Sequence, residues 1–161
     1  MTMPEQKPGR SEQTVCTPPE FLDAVRRRLG IDEFDCDLAA DETNTVVPER
    51  FYTEQDDALV QPWKFAWSEG WNWCNPPYAD IGPWVEKAQM EAYVHGTNTA
   101  MLVPASSGSN WWMHWVDGKA YVTFLNPRIK FVGHKTPYPK DLALLLYAPF
   151  LHGGSCVWRW K

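Results

Sequence analysis

Apolar residues first fall into helical spacing at Phe21, Leu22, Val25 and Leu29, between Thr17-Pro18-Pro19-Glu20 and Gly30. That spacing predicts a helix over 18–29. Thr17 would cap it, Pro18 would sit in the first turn where a missing N–H costs nothing, and Arg26, Arg27 and Arg28 would suit the negative end of its dipole. Phe34-Asp35-Cys36-Asp37-Leu38 then alternates apolar and acidic residues. Carboxylates are unusual in a strand unless its carboxyl end opens onto a site, which singles out Asp37. Residues 41–62 carry turn formers and charges with only short apolar pieces, so an ordered, irregular connection is expected there. Residues 71–74 read as a buried strand that Pro76 and Pro77 must end. Beyond it, Trp84, Val85, Ala88, Ala92 and Tyr93 predict a helix from about Pro83 to a stop at Gly96. An apolar strand follows over 99–103, then a short helix over 111–115 and strands over 120–125, 129–132 and 142–147. Helices and strands that alternate early, before a strand-rich end, predict an α/β fold. Its sheet is expected to be mostly parallel, with a C-terminal antiparallel hairpin.

Composition narrows this picture. A chain of 161 residues suits one domain, taken as 16–161 behind a polar, disordered tail over 1–15. No apolar run is long enough to span a bilayer, and the tail has no leader-like core, so a cytoplasmic protein without membrane contact is expected. Cys16, Cys36, Cys74 and Cys156 are scattered without a close pair, which favours buried thiols over a metal site. Ten tryptophans are too many to leave exposed; most must serve the core, with one or two available to line a base-binding pocket. A net charge of −5 confines any nucleic-acid footprint to a local patch, because phosphate contacts need Lys and Arg. Lys119, Arg128, Lys130, Lys135 and Lys140, around Pro137-Tyr138-Pro139, are the candidates for contact with DNA. The polar stretch Ser106-Ser107-Gly108-Ser109-Asn110 is expected as a loop closing over DNA, with Trp111 or Trp112 serving as a wedge or, more simply, as core.

The chemistry concentrates in Asn75-Pro76-Pro77-Tyr78. An aromatic amine is a poor nucleophile because its lone pair is delocalised into the ring, so a catalyst gains by accepting hydrogen bonds from the amino protons. The Asn75 side-chain oxygen and the Pro76 carbonyl, held by the rigid Pro76-Pro77 pair, supply two acceptors that favour positive charge growing on the nitrogen. Tyr78 offers a flat face on which an extruded base stacks.

In order and spacing, several segments resemble the compact phage-type DNA adenine-N6 methyltransferases, an S-adenosylmethionine-dependent group with the Asn-Pro-Pro-Tyr motif. They are Thr17-Pro18, Phe34 to Ala40 with Asn44, Asp57-Ala58-Leu59 with Trp63, Trp73 to Tyr78 with Trp84-Val85 and Lys87-Ala88, and Pro104-Ala105. The resemblance implies a trimmed Rossmann-like methyltransferase fold, S-adenosylmethionine as cofactor, DNA as substrate and the host cytoplasm as location if the protein is phage-encoded. It puts Thr17 and Pro18 near the methionine end of the cofactor. Asp37, Ala39 and Ala40 would face its amino acid or ribose, and Asp57, or Asp56 one place earlier, its adenine amine. The glycine-rich turn usual after the first strand of such folds is replaced here by Ala39-Ala40-Asp41. That departure keeps open a catalytically impaired module that binds DNA or a protein. The acceptor pair would equally serve methylation of cytosine or of a protein glutamine.

Overall fold

A computed structural model of the protein describes residues 15–65 and 69–161, so nearly all of the tail expected over 1–15, and Trp67, lie outside the described residues. Along the chain come α1 (Pro19–Leu29), β1 (Trp71–Cys74), α2 (Gly82–His95), β2 (Asn98–Pro104), α3 (Asn110–Trp115), β3 (Tyr121–Asn126), β4 (Leu142–Tyr147) and β5 (Ser155–Arg159). Both long helices end as their sequences dictate. Gly30 and Gly96 take left-handed backbone conformations (φ 69° and 67°) that side chains rarely adopt, and each returns its N–H to a carbonyl of the last turn. The start of α1 differs from expectation. Pro18, which has no side-chain acceptor, holds the cap position, so among the described residues no side chain caps the helix, and the Thr17 hydroxyl one place earlier accepts from Asn75.

The sheet order is β1-β2-β4-β3-β5. β1 and β2 are parallel and joined through α2 as a strand-helix-strand crossover, and β3 and β5 are parallel, but β4 lies antiparallel to both β2 and β3. The sheet is therefore mixed, not mostly parallel. Leu142-Ala143-Leu144-Leu145-Leu146-Tyr147 is buried along its whole length, as a central strand must be, but an apolar run of this kind does not reveal where in the sheet it inserts. The expected hairpin exists only as the β3–β4 pairing, spanned by a long connection. The strand predicted over 129–132 is absent. Ile129 and Phe131 are buried on either side of an exposed Lys130, which mimics strand alternation, yet both edges of β3 are already taken by β4 and β5. β5 escaped the sequence reading because Ser155, Val157 and Arg159 face water and leave only Cys156 and Trp158 half-buried.

Alternation along the strands divides the core into two layers. On one face, Met101 and Val103 of β2 and Ala143, Leu145 and Tyr147 of β4 pack with Ile81, Val85, Ala88 and Ala92 of the α2 segment and with Trp112. On the other, Ala100, Leu102, Leu144 and Leu146 meet Phe21, Leu22 and Val25 of α1. Trp63, Trp71, Trp73 and Trp112 are buried, Trp84, Trp111, Trp115, Trp158 and Trp160 are half-buried against the core, and Trp112 stacks on Phe124 at 6.4 Å and 18°. Cys36 and Cys74 are buried, and desolvation pushes the Cys36 thiol up to about 12; contrary to expectation, Cys16 and Cys156 are half-exposed. Among the described residues no helix is long and apolar enough to cross a membrane.

The segment 106–110 is a built helix start rather than an open loop. Ser109 Oγ accepts from the Trp112 amide (3.3 Å) and donates to the Ser106 carbonyl (2.7 Å). Ser109→Ala is expected to lower stability by about 1 kcal/mol, read as a lower urea midpoint at unchanged slope. An unchanged midpoint would mean that the cap contributes nothing.

Candidate active site

The predicted strand over 34–38 is reduced to a short stretch of extended chain, but its placement organises the site. Asp37 lies in parallel register with Phe51 on one side and Trp73 on the other. The Asp37 amide donates to the Arg50 carbonyl (3.0 Å) and the Tyr52 amide to the Asp37 carbonyl (2.9 Å), while Leu38 donates to Trp73 (2.9 Å) and Trp73 to Cys36 (2.9 Å). From Asp37 the chain thus steps outward to Phe51, then returns to the opposite side of Asp37 as β1 and steps outward again to β2. The succession reverses between Asp37 and β1, and at such a switch point the connections beyond the strands' carboxyl ends diverge and leave a crevice.

A cavity of about 550 Å³ opens there, within the range of small-molecule sites. Leu38, Ala39, Ala40 and Asp41 line it from the first stretch, Tyr52, Thr53, Glu54 and Asp57 from the second, and Asn75 to Tyr78 from the end of β1; Trp84 of α2 and Phe131, His134 and Tyr138 of the β3–β4 connection complete it. A second cavity of about 330 Å³ adjoins the first, sharing Val15, Ala39 and Asn75, and is also lined by Thr17, Arg26, Asp37, Asn44 and Thr45.

Asn75 stands where the cavities meet. Its Nδ2 donates to the Val15 carbonyl (3.5 Å) and to the Thr17 hydroxyl (3.4 Å). A carbonyl only accepts, so the nitrogen must face Val15, and the amide oxygen is left for another donor. No donor among the described residues bonds the Pro76 carbonyl. Tyr78 packs edge-on to Tyr138, with ring centroids 5.9 Å apart at 74°, and Tyr138 in turn meets Phe131 at 5.7 Å and 86°. Burial pushes the Tyr78 hydroxyl well above the usual range, and its oxygen has no partner among the described residues; Asp41 Oδ2 is likewise unpartnered. Two orphaned polar atoms in one cavity wall are what a ligand would satisfy.

Asp37 is almost fully buried, and its carboxylate accepts from the Val46 (2.8 Å) and Ala39 (3.3 Å) amides. Desolvation outweighs these bonds and raises its pKa from 3.8 to about 6. Asp37 and Thr17 line the second cavity, Ala40 the first and Ala39 both, whereas Pro18 lines neither. The two aspartates offered as alternatives separate clearly. Asp57 lines the larger cavity from a left-handed backbone position (φ 51°). Asp56 turns away to accept from the Thr53 amide and hydroxyl (both 2.8 Å), bonds that hold its carboxyl below the usual range.

Of the basic candidates, Arg128, Lys130, Lys135 and Lys140 are exposed on the connection that carries Phe131, His134 and Tyr138 to the cavity, with Arg128 paired to Asp141 at 2.9 Å. Lys119 does not join them. It precedes β3 at the sheet end away from Asn75, bonds the His114 carbonyl and lies 5.1 Å from the Trp115 ring centroid. Trp111 and Trp112 pack on each other (5.6 Å), with Trp112 in the core. Sequence reasoning passed over Asp41, Tyr52, Thr53, Glu54, Trp84, Phe131, His134 and Tyr138. The signals for this group were slight: Trp84 beside the Asn-Pro-Pro-Tyr segment in the family resemblance, Asp41 in the turn that lacks glycine, and Tyr138 between two prolines in a basic region. Among the described residues no group of three or more His, Cys, Asp or Glu is placed to hold a metal ion.

Comparison with known proteins bears on the same segments. A family model described as DNA N-6-adenine-methyltransferase (Dam) matches residues 7–143. A protein of Haemophilus phage HP1 (strain HP1c1), named DNA N-6-adenine-methyltransferase, is 30% identical over 129 residues, covering 76% of this chain and 72% of the phage protein.

Proposed function

The chain belongs to the DNA N-6-adenine-methyltransferase (Dam) family, and we propose that residues 16–161 form one Rossmann-like methyltransferase domain that uses S-adenosylmethionine. The protein is an enzyme that methylates the N6 amine of adenine in DNA. The observation that carries the mechanistic reading is the fixed orientation of Asn75. Its nitrogen is committed to Val15 and Thr17, so its oxygen is left as a free hydrogen-bond acceptor on a residue that lines both cavities, before any substrate arrives.

Bound S-adenosylmethionine supplies an activated methyl group on a sulfonium. The larger cavity fits such a ligand, since among the described residues its lining includes Asp41, Glu54 and Asp57 but no Lys or Arg, and acidic walls favour a cation. Asp57 would receive the adenine amine of the cofactor, and Thr17, Asp37, Ala39 and Ala40 would border its amino-acid and ribose portion. Asn75 Oδ1 and the Pro76 carbonyl accept from the target amine and stabilise the charge that grows on it; Pro77 fixes the Pro76 carbonyl, and Tyr78 stacks on the extruded base. Stabilisation by preset acceptors needs no strong general base. Arg128, Lys130, Lys135 and Lys140 would contact backbone phosphate beside the opening, in the cytoplasm where such DNA is met.

The test is transfer of labelled methyl from S-adenosylmethionine to unmethylated DNA, with the product digested to nucleosides. N6-methyladenine is expected. Label in cytosine, label in protein or no transfer would each sink the reading. Asp57→Ala is expected to weaken S-adenosylhomocysteine binding about tenfold by calorimetry, and Asp56→Ala to change it less than twofold. The reverse ranking would move the adenine contact one residue earlier.

A further inference from the structure

In folds with a glycine-rich first turn, free backbone N–H groups present themselves to the anionic part of a ligand. Here the equivalent amides are already engaged. Ala39 donates to Asp37 Oδ1 (3.3 Å), Ala40 to the Tyr52 carbonyl (2.9 Å), Asp41 to Asn44 (3.2 Å), Thr43 to Asp41 Oδ1 (2.7 Å), Asn44 to Asp41 (3.2 Å) and Val46 to Asp37 Oδ2 (2.8 Å). With most of these amides taken, a carboxylate arriving in the smaller cavity gains from a charged side-chain donor. Among the described residues, Arg26 is the single Lys or Arg lining either cavity.

We infer that Arg26 receives the carboxylate of the cofactor's amino-acid end in the 330 Å³ cavity, taking over the role that backbone amides of a glycine-rich turn would play. Resting on the reading of the site as an S-adenosylmethionine site, this assigns a cofactor contact to α1. Three features support it. Arg26 is 26% exposed, and its guanidinium lies 5.8 Å from the Phe34 ring centroid, so its approach to the cavity is held by packing. Its Nη2 is paired with Asp23 (2.6 Å), a residue 53% exposed; such surface pairs are weak, and the planar fork keeps donors on Nη1 and Nε for a second carboxylate. Finally, the same cavity holds Asp37, whose carboxylate has hydrogen-bond donors but no ion-pair partner among the described residues. One guanidinium and one uncompensated carboxylate match the two charges of an α-amino acid.

The experiment compares two ligands by calorimetry on the full chain: S-adenosylhomocysteine, which carries the amino-acid end, and 5′-methylthioadenosine, which lacks it. Wild type is expected to bind the former more tightly. Arg26→Gln should lose about ten- to fiftyfold in affinity for S-adenosylhomocysteine and less than twofold for methylthioadenosine, and Arg26→Lys should recover part of the loss. Retained methylthioadenosine binding doubles as proof of folding. Equal losses for both ligands, or no loss for either, would overturn the assignment while leaving the cofactor site intact. A wild type that binds neither ligand would bring down the cofactor reading itself and this inference with it.

Discussion

Asn75→Ala is expected to lower kcat for methyl transfer to DNA by about 10²–10³-fold, the range measured when one preset partner of a developing charge is removed. Cofactor affinity should change by no more than about threefold, since the acceptor acts on the target amine. The orientation argument makes the prediction specific. The Val15 carbonyl 3.5 Å away holds the Asn75 nitrogen toward itself, so truncation removes an amide oxygen left free on a residue that lines both cavities. Asn75→Asp tests the same geometry from the other side. It keeps an acceptor in place but sets a carboxylate oxygen against the Val15 carbonyl, and activity between wild type and Asn75→Ala is expected. Single-turnover rates with calorimetric cofactor binding separate chemistry from affinity. An Asn75→Ala variant that keeps wild-type kcat would remove Asn75 from the chemistry. One that loses cofactor binding and turnover together would mean that its tie to residues 15–17 matters more than its oxygen.

The Asn75-Pro76-Pro77-Tyr78 segment was legible because its function requires particular residue types in consecutive positions, and consecutive positions need no knowledge of the fold. The helices were legible for a similar reason: their apolar spacing and terminal glycines are local. What the sequence hid was long-range. Phe131 and Tyr138 reach the cavity because the β3–β4 connection folds back, with Val132 bonded to Cys16 (3.1 Å) and Tyr138 to Ile129 (2.8 Å). Nothing in the spacing of 127–141 foretells that return. Arg26 looked like one of three arginines answering a helix dipole, and only the packing of α1 beside Asp37 and Thr45 sets it apart from Arg27 and Arg28. The direction of β4 was equally hidden, since an apolar run reads the same either way through a sheet.

Asp37 should make the ligand-free protein less stable as pH rises. Its carboxyl has a pKa of about 6 in the folded state against 3.8 ordinarily, because burial opposes the charged form more than the Val46 and Ala39 amides favour it. Between those values the folded state binds more protons than the unfolded one, so stability falls with rising pH across that window. The contribution is fully present below 3.8 and lost as pH passes through about 6. At 1.36 kcal/mol per pH unit the total is roughly 3 kcal/mol. Asp37→Asn cannot ionise, so the difference between wild-type and variant unfolding free energies, measured by urea titration from about pH 4 to 7, should show the wild type losing ground as pH rises to about 6 and levelling off above it. An ammonium group brought beside Asp37 would compensate the buried charge. Cofactor affinity should therefore rise with pH through the same region in the wild type and stay flat in Asp37→Asn. Parallel stability profiles for the two proteins would mean that the buried carboxylate carries no proton linkage. A shared flat binding profile would mean that the cofactor's ammonium lies elsewhere.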